Sequence, residues 1–167
     1  MAKVIILCGK IASGKTFYAE QLRKKTNAII LSVDDLMLQL SDECLGGRHD
    51  DIALRCERYF YQLAEQIISS GMYVIIDFGY WTKKERDIAK DYFRRAGIPM
   101  ELHYIKVPED IRLKQLENRN KLLLKKRSEE SSRSYIINQE LRIRLDAKFE
   151  EPLPSEYDKM IHNFVSD

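Results

Sequence analysis

The chain has only three cysteines in 167 residues, Cys8, Cys44 and Cys56. An odd number without a C-x-x-C spacing argues against a disulfide framework and fits a reducing compartment. A zinc site on Cys44, His49 and Cys56 is disfavoured too, because their spacing matches no common ligand pattern. Long apolar runs are also missing. The N-terminal one is confined to Val4–Cys8, too short for a signal peptide or a membrane span, so a soluble cytoplasmic protein with no membrane partner is expected. Net charge is low, with 28 Lys and Arg against 26 Asp and Glu. The whole molecule therefore lacks the strong positive field of a dedicated nucleic-acid binder, and any basic site must be local. There is no internal repeat and no low-complexity linker, and the length fits one domain spanning 1–167.

What the chain does contain is Gly9-Lys10-Ile11-Ala12-Ser13-Gly14-Lys15-Thr16, a complete G-x-x-x-x-G-K-[ST] phosphate loop directly after the apolar run Val4–Cys8. The glycines let successive backbone N–H groups turn toward phosphate oxygens. Lys15 can reach the β- and γ-phosphates, and the Thr16 hydroxyl can ligate Mg²⁺. Average residue usage makes a chance match about one in two hundred for a chain of this length. A strand-like segment before the loop and an amphipathic helix pattern over Phe17 to Lys25 after it supply the expected context. Nucleotide binding, with ATP and Mg²⁺ as cofactors, is the primary expectation.

Further strand-like runs fall at Ala28 to Val33, Tyr73 to Ile76 and Met100 to Val107, with a weakly signalled one at Met160 to Phe164. Helix-period segments lie between them, and this alternation predicts a mainly parallel sheet with crossover helices. The longest helical stripe is Ile52, Cys56, Tyr59, Phe60, Leu63 and Ile67, stopped by Gly71. Thr82 with Glu85 forms a capping box ahead of a helix ended by Gly97 and Pro99. A short helix is expected from Pro108 to about Asn118, and a last one from Ile137 to about Phe149. Between them, Arg119, Lys121, Lys125, Lys126, Arg127 and Arg133 stand against Glu129 and Glu130. The segment 119–134 reads either as a solvated mobile stretch or as a basic lid closing over phosphates.

Asp77 ends an apolar strand, the position at which phosphate-loop enzymes hold Mg²⁺ through a carboxylate. Asp34 and Asp35 follow the second strand at the same face of the sheet, where ligands of open α/β sheets gather. One aspartate can serve as a helix cap without using up the other. Asp34 is the candidate general base for an attacking hydroxyl. Asp35, Arg48, His49, Tyr80 and Trp81 are the acceptor-side candidates. Arg48 and His49 follow the flexible Gly46-Gly47, whereas Arg55 and Arg58 read as solvated helix arginines. Tyr80 and Trp81 could stack on a sugar or base, or could close the core.

Asp34-Asp35-Leu36, Ile75-Ile76-Asp77-Phe78-Gly79-Tyr80-Trp81 with Arg86, and Glu101-Leu102-His103-Tyr104 with Val107-Pro108-Glu109 resemble a family of small phosphate-loop kinases. These are often labelled AAA-type ATP-binding proteins and are related to chloramphenicol phosphotransferase, zeta toxins and the kinase domain of polynucleotide kinases. Arg119-Asn120 resembles the family's lid arginine, and Phe149-Glu150-Glu151-Pro152 followed by Glu156 its C-terminal signature, so the likeness covers nearly the whole chain. The resemblance implies a three-layer α/β/α kinase fold with about five strands and a short helical lid. It also implies Lys15 and Thr16 on ATP and Mg²⁺, Asp34 as base and Arg119 steadying the transferring phosphoryl group. The family often has a second arginine four residues before the lid arginine; here that position is Gln115. Arg112, Lys114 or Arg127 substitutes for it, or turnover is weakened.

The expected activity is transfer of the γ-phosphoryl group of ATP to a hydroxyl-bearing small molecule. One alternative keeps the chemistry and makes the 5′-hydroxyl of a nucleic acid the acceptor. The other is a nucleotide-dependent switch or slow ATPase that binds a partner and transfers nothing to an acceptor. Fold-level analogy does not choose the acceptor.

Overall fold

Every residue of the first strand, β1 (Val4–Cys8), is at most 2% exposed, which marks a strand covered on both faces. The computed structural model describes residues 1–40, 46–127 and 136–162. In it β1 lies at the centre of a five-stranded parallel sheet with β2 (Ile29–Ser32), β3 (Val74–Gly79), β4 (Met100–Lys106) and β5 (Lys159–His162), in the order β2-β3-β1-β4-β5. The crossovers are α1 (Lys15–Thr26), α2 (Val33–Leu40), α3 (His49–Ser69), α4 (Lys83–Arg95), α5 (Glu109–Arg127) and α6 (Gln139–Lys148), with a 3₁₀ turn at Gly46–Arg48.

Because successive strand side chains point to opposite faces, the sheet builds two cores. Ile5, Leu7, Ile75 and Ile105 pack with Ala19, Tyr18 and Leu22 of α1. Val4, Ile6, Cys8, Val74, Ile76 and Leu102 pack with Met37, Phe60, Tyr61, Ala89 and Phe93 of α2, α3 and α4. Each fully buried aliphatic side chain contributes about 1.5–3 kcal/mol, so the larger of these two cores anchors the α2–α4 layer. The result is the expected three-layer α/β/α arrangement.

Most element boundaries lie within a few residues of the sequence expectation, and the capping box at Thr82 and Glu85 is formed. The exception is α5, which does not end near Asn118 but continues to Arg127. Leu116 and Leu123 on one face are buried, and the Asn120 amide between them donates to the Ile137 carbonyl and accepts from the Ile137 N–H. An asparagine in a charged stretch thus supplies the anchoring that apolar periodicity did not reveal. Residues 128–134 of the basic stretch, Cys44 and Phe164 lie outside the described residues.

After β1 the chain leaves toward β2, and after β3 it leaves in the opposite direction toward β4. The carboxyl ends of β1 and β3 therefore flank a crevice of the kind in which open α/β sheets bind ligands.

Candidate active site

The loop 9–16 fills the β1 side of that crevice. A Cβ on Gly9 would lie 2.7 Å from both the Ile105 carbonyl oxygen and Ser13 Oγ, so no other residue fits there. Gly14 adopts φ 88°, ψ 21°, the left-handed conformation that releases the chain into α1. The Ser13 N–H donates to the Lys10 carbonyl at 3.2 Å, and α1 starts without a side-chain cap and without an acidic residue in its first turn. Uncapped N–H groups at a helix start suit an anion.

Lys15 Nζ donates to the carbonyls of Gly9 and Lys10, each at 2.9 Å, and so lies along its own loop. Burial pulls its pKa down, while Asp77, Cys8 and Asp34 raise it and Arg119 lowers it further. Thr16 Oγ1 donates to Asp77 Oδ2 at 3.0 Å. Burial pushes the Asp77 carboxyl above its usual range; Lys15 and the Thr16 hydrogen bond pull against that, and Asp35 adds to it. A hydroxyl beside a carboxylate is the hard oxygen donor set that Mg²⁺ selects, so Thr16 and Asp77 could hold that ion.

Asp34 and Asp35 sit in the first turn of α2. Neither is the cap. The Asp35 N–H donates to Ser32 Oγ at 3.2 Å, so the last residue of β2 caps the helix and leaves both carboxylates available. Asp34 reaches solvent at the cleft mouth, yet the surrounding protein pushes its carboxyl above the ordinary range. Asp77 adds to that push, and Lys15, Arg119 and His49 oppose it. Lys15 and Asp34, at the starts of α1 and α2, are therefore within electrostatic reach of each other, of Asp77 on β3 and of Arg119 on α5.

On the acceptor side, Asp35 and Arg48 are exposed, and His49, half-buried, starts α3. Arg55 pairs with Asp51 at 2.9 Å on the α3 surface, as its solvated reading implied. Tyr80 is a correction to the acceptor list. Its ring is 1% exposed in the core, its hydroxyl donates to Tyr61 at 3.3 Å, and its backbone holds the left-handed φ of 47°. Trp81 is half-buried beside Gly79, whose φ of 108° and contact with the indole leave no room for a side chain.

Two buried arginines hold this site together, and sequence reasoning missed the role of both. Arg112, 1% exposed, donates from Nη1 to the Ile11 carbonyl at 3.1 Å and pairs with Glu109 and with Asp146 at 2.6 Å. It braces the phosphate loop against α5 and α6, and its charge is already met there by two carboxylates. That corrects its reading as a substitute for the family's second arginine. Lys114 is exposed, and the side chain of Arg127 lies outside the described residues. Arg86, also 1% exposed, pairs with Glu156 at 3.1 Å and donates to the carbonyls of Tyr80, Trp81 and Glu150. It ties the corner after β3 to the C-terminal segment. Glu109 three residues before Arg112 was the one legible hint of such a pairing.

A family model described as an AAA domain matches residues 4–139. The chain belongs to that family. Among solved structures, this AAA domain is similar to the APS kinase CysC of Mycobacterium tuberculosis in complex with AMPPNP and APS, with a TM-score of 0.67 and 19% identity over 99% of this chain and 90% of that one. It is similar to Chaetomium thermophilum Kti12 in complex with ADP-AlF3, with a TM-score of 0.69 and 18% identity over 95% and 88%. A gluconokinase from Sinorhizobium meliloti 1021 gives 0.62 and 11% over 96% and 82%. At these identities the likeness establishes the P-loop kinase fold. No curated protein matches the sequence. Among the described residues, no helix is long and apolar enough to cross a membrane.

Proposed function

We propose that the protein is an ATP- and Mg²⁺-dependent phosphotransferase that moves the γ-phosphoryl group to a hydroxyl of a small molecule. Support comes above all from Lys15, Asp34 and Asp77 meeting at the carboxyl ends of adjacent strands, with Arg119 of α5 in electrostatic reach of Lys15 and Asp34. Phosphoryl transfer needs little covalent chemistry from the protein and much positioning and charge stabilisation. The loop 9–16 and the uncapped start of α1 hold the triphosphate. Lys15 exchanges its two loop carbonyls for phosphate oxygens, and Arg119 meets the charge that develops on the transferring group. Thr16 and Asp77 are the residues that would hold Mg²⁺, which would supply charge neutralisation for the phosphates. Asp34 orients the acceptor hydroxyl and takes its proton, and its raised pKa brings it nearer to a working pH. The kinases among the structural relatives agree with this class of reaction.

The test is transfer of labelled γ-phosphate from ATP into two acceptor pools, hydroxylated small molecules and 5′-hydroxyl oligonucleotides. Asp34→Asn should lower transfer by about 10²–10⁴-fold while ATP still binds. Wild-type activity should fall as pH drops through the Asp34 pKa, at a pH above the usual carboxylate range. Label confined to oligonucleotides would move the acceptor to nucleic acid. Phosphate release that is identical in wild type and Asp34→Asn would favour the switch or ATPase.

A further inference from the structure

Apolar packing anchors α1 lightly. Of its twelve residues only Ala19 is fully buried, with Tyr18 and Leu22 packed beside it. The Tyr18 N–H donates to the Gly14 carbonyl at 2.9 Å, so the N–H groups of Lys15, Thr16 and Phe17 ahead of it are those that a helix start leaves for an anion. The side chain of the same residue makes a polar tie to the sheet. Tyr18 Oη lies 2.9 Å from Nδ1 of His103 on β4, and His103 Nε2 lies 2.9 Å from Oε2 of Glu101. His103 is fully buried, and burial lowers its pKa against the pull of Glu101. The neutral ring therefore donates from Nε2 to Glu101 and accepts the Tyr18 hydroxyl at Nδ1. Burial alone would raise the Glu101 pKa, but Lys3, His103 and Lys159, the last at 3.5 Å, bring it down to about 2.

We propose that Tyr18, His103 and Glu101 form a positioning relay that sets the phosphate-binding end of α1 against β4. This rests on the proposed function only in requiring that a triphosphate bind at the loop 9–16. Strand β4 meets the phosphate-binding segment twice. The Ile105 carbonyl closes against Gly9, and His103, two residues earlier, holds Tyr18 one turn into α1. Loop and helix start thus take their places from one strand. Apolar contacts are non-directional and let a helix slide at little cost, whereas a hydroxyl bonded to a buried imidazole fixes both its depth and its rotation. The three residues act through the direction of the N–H groups of Lys15, Thr16 and Phe17, and not by contact with the phosphates.

Calorimetric titration of the full chain with ATP and with inorganic tripolyphosphate, Mg²⁺ present, tests this, with urea unfolding of the same variants alongside. Tyr18→Phe should raise Kd for both ligands about tenfold, the size of one net hydrogen bond. Tyr92→Phe is the control. Its hydroxyl also donates to a carboxylate, Glu65, but ties α4 to α3, so both affinities should stay within about twofold of wild type. In Tyr18→Phe combined with His103→Leu no buried imidazole nitrogen is left without its partner, so the unfolding midpoint should return toward wild type while Kd stays raised. That double variant decides the question even if the single one fails to fold. Wild-type affinity in either would overturn the proposal and leave the relay a matter of stability alone. A wild type that binds neither ligand would sink it together with the proposed function. ATP binding without phosphoryl transfer to any acceptor would count against the proposed function and leave the relay standing.

Discussion

The two halves of the crevice are built differently. On the nucleotide half, each group is fixed by a backbone or side-chain partner. Gly9 is wedged against Ile105, Lys15 is held by two carbonyls, Thr16 by Asp77, and the loop by Arg112. On the acceptor half, Asp34, Asp35 and Arg48 stand exposed on the first turn of α2 and the start of α3. On the proposed function, the chemistry common to phosphoryl donors would belong to the first half, and discrimination among acceptors to the exposed side chains of the second. Substitutions on the first half should therefore abolish function outright, whereas those on the second should shift substrate preference.

The sharpest test of that asymmetry is Lys15→Met. It removes the cation that Asp77 and Asp34 face, and phosphoryl transfer should drop by at least about a thousandfold, measured as labelled γ-phosphate in product. A residual rate within tenfold of wild type would mean that the loop lysine is not where the charge of the reaction is met.

This asymmetry also governs what could be read without coordinates. The phosphate loop, the crossover order of strands and helices, and Asp77 were legible because each is tied to a local pattern: a glycine spacing, an apolar run, a carboxylate at a strand end. Arg86 and Arg112 were not, because their partners lie 70 and 34 residues away in Glu156 and Asp146 and only tertiary packing brings them together. Tyr80 was ambiguous for a similar reason. An aromatic residue at a strand end suits a ligand or a core equally well until the partner, here Tyr61 of α3, is known. The length of α5 was hidden because one amide, Asn120, replaces an apolar stripe in fixing its second half.

Beneath the acceptor half lies a frame that should behave as structure and not as chemistry. Arg86→Met breaks a buried ion pair and leaves Glu156 unpaired, with an expected loss of about 3–5 kcal/mol in denaturant unfolding. The double variant Arg86→Met with Glu156→Gln should recover part of that loss, because the stranded charge is gone. Recovery of nothing would locate the cost in the three carbonyls that Arg86 also serves.

Glu57 offers a milder probe of the same frame. It is 5% exposed, accepts a hydrogen bond from the Tyr61 hydroxyl, and burial pushes its pKa from 4.5 up to about 7. The folded state then binds more protons than the unfolded state between those values, so stability falls as pH rises from about 4.5 through about 7. The loss is at most about 3 kcal/mol. Glu57→Gln keeps an acceptor for Tyr61 and removes the charge. Its unfolding midpoint should vary less with pH and exceed wild type above the window, as followed by urea titration at matched ionic strength.

The smallest effects are expected at Arg48 and His49, and on the proposed function they carry the most information about the acceptor. Arg48 is exposed, and an exposed charge meeting a ligand in high dielectric contributes little, so Arg48→Ala should raise KM for the acceptor by about three- to tenfold. The change should leave KM for ATP and thermal stability unaltered, because neither loop 9–16 nor the β3 corner is touched. His49→Ala should act differently. Its charge contributes to the field at Asp34, so it should also move the acidic limb of the rate profile to higher pH, since a positive neighbour that held the Asp34 pKa down is lost. Steady-state kinetics with the acceptor from the two-pool experiment separates the pair. An Arg48 variant that alters ATP affinity as much as acceptor affinity would erase the division between a rigid donor half and an open acceptor half.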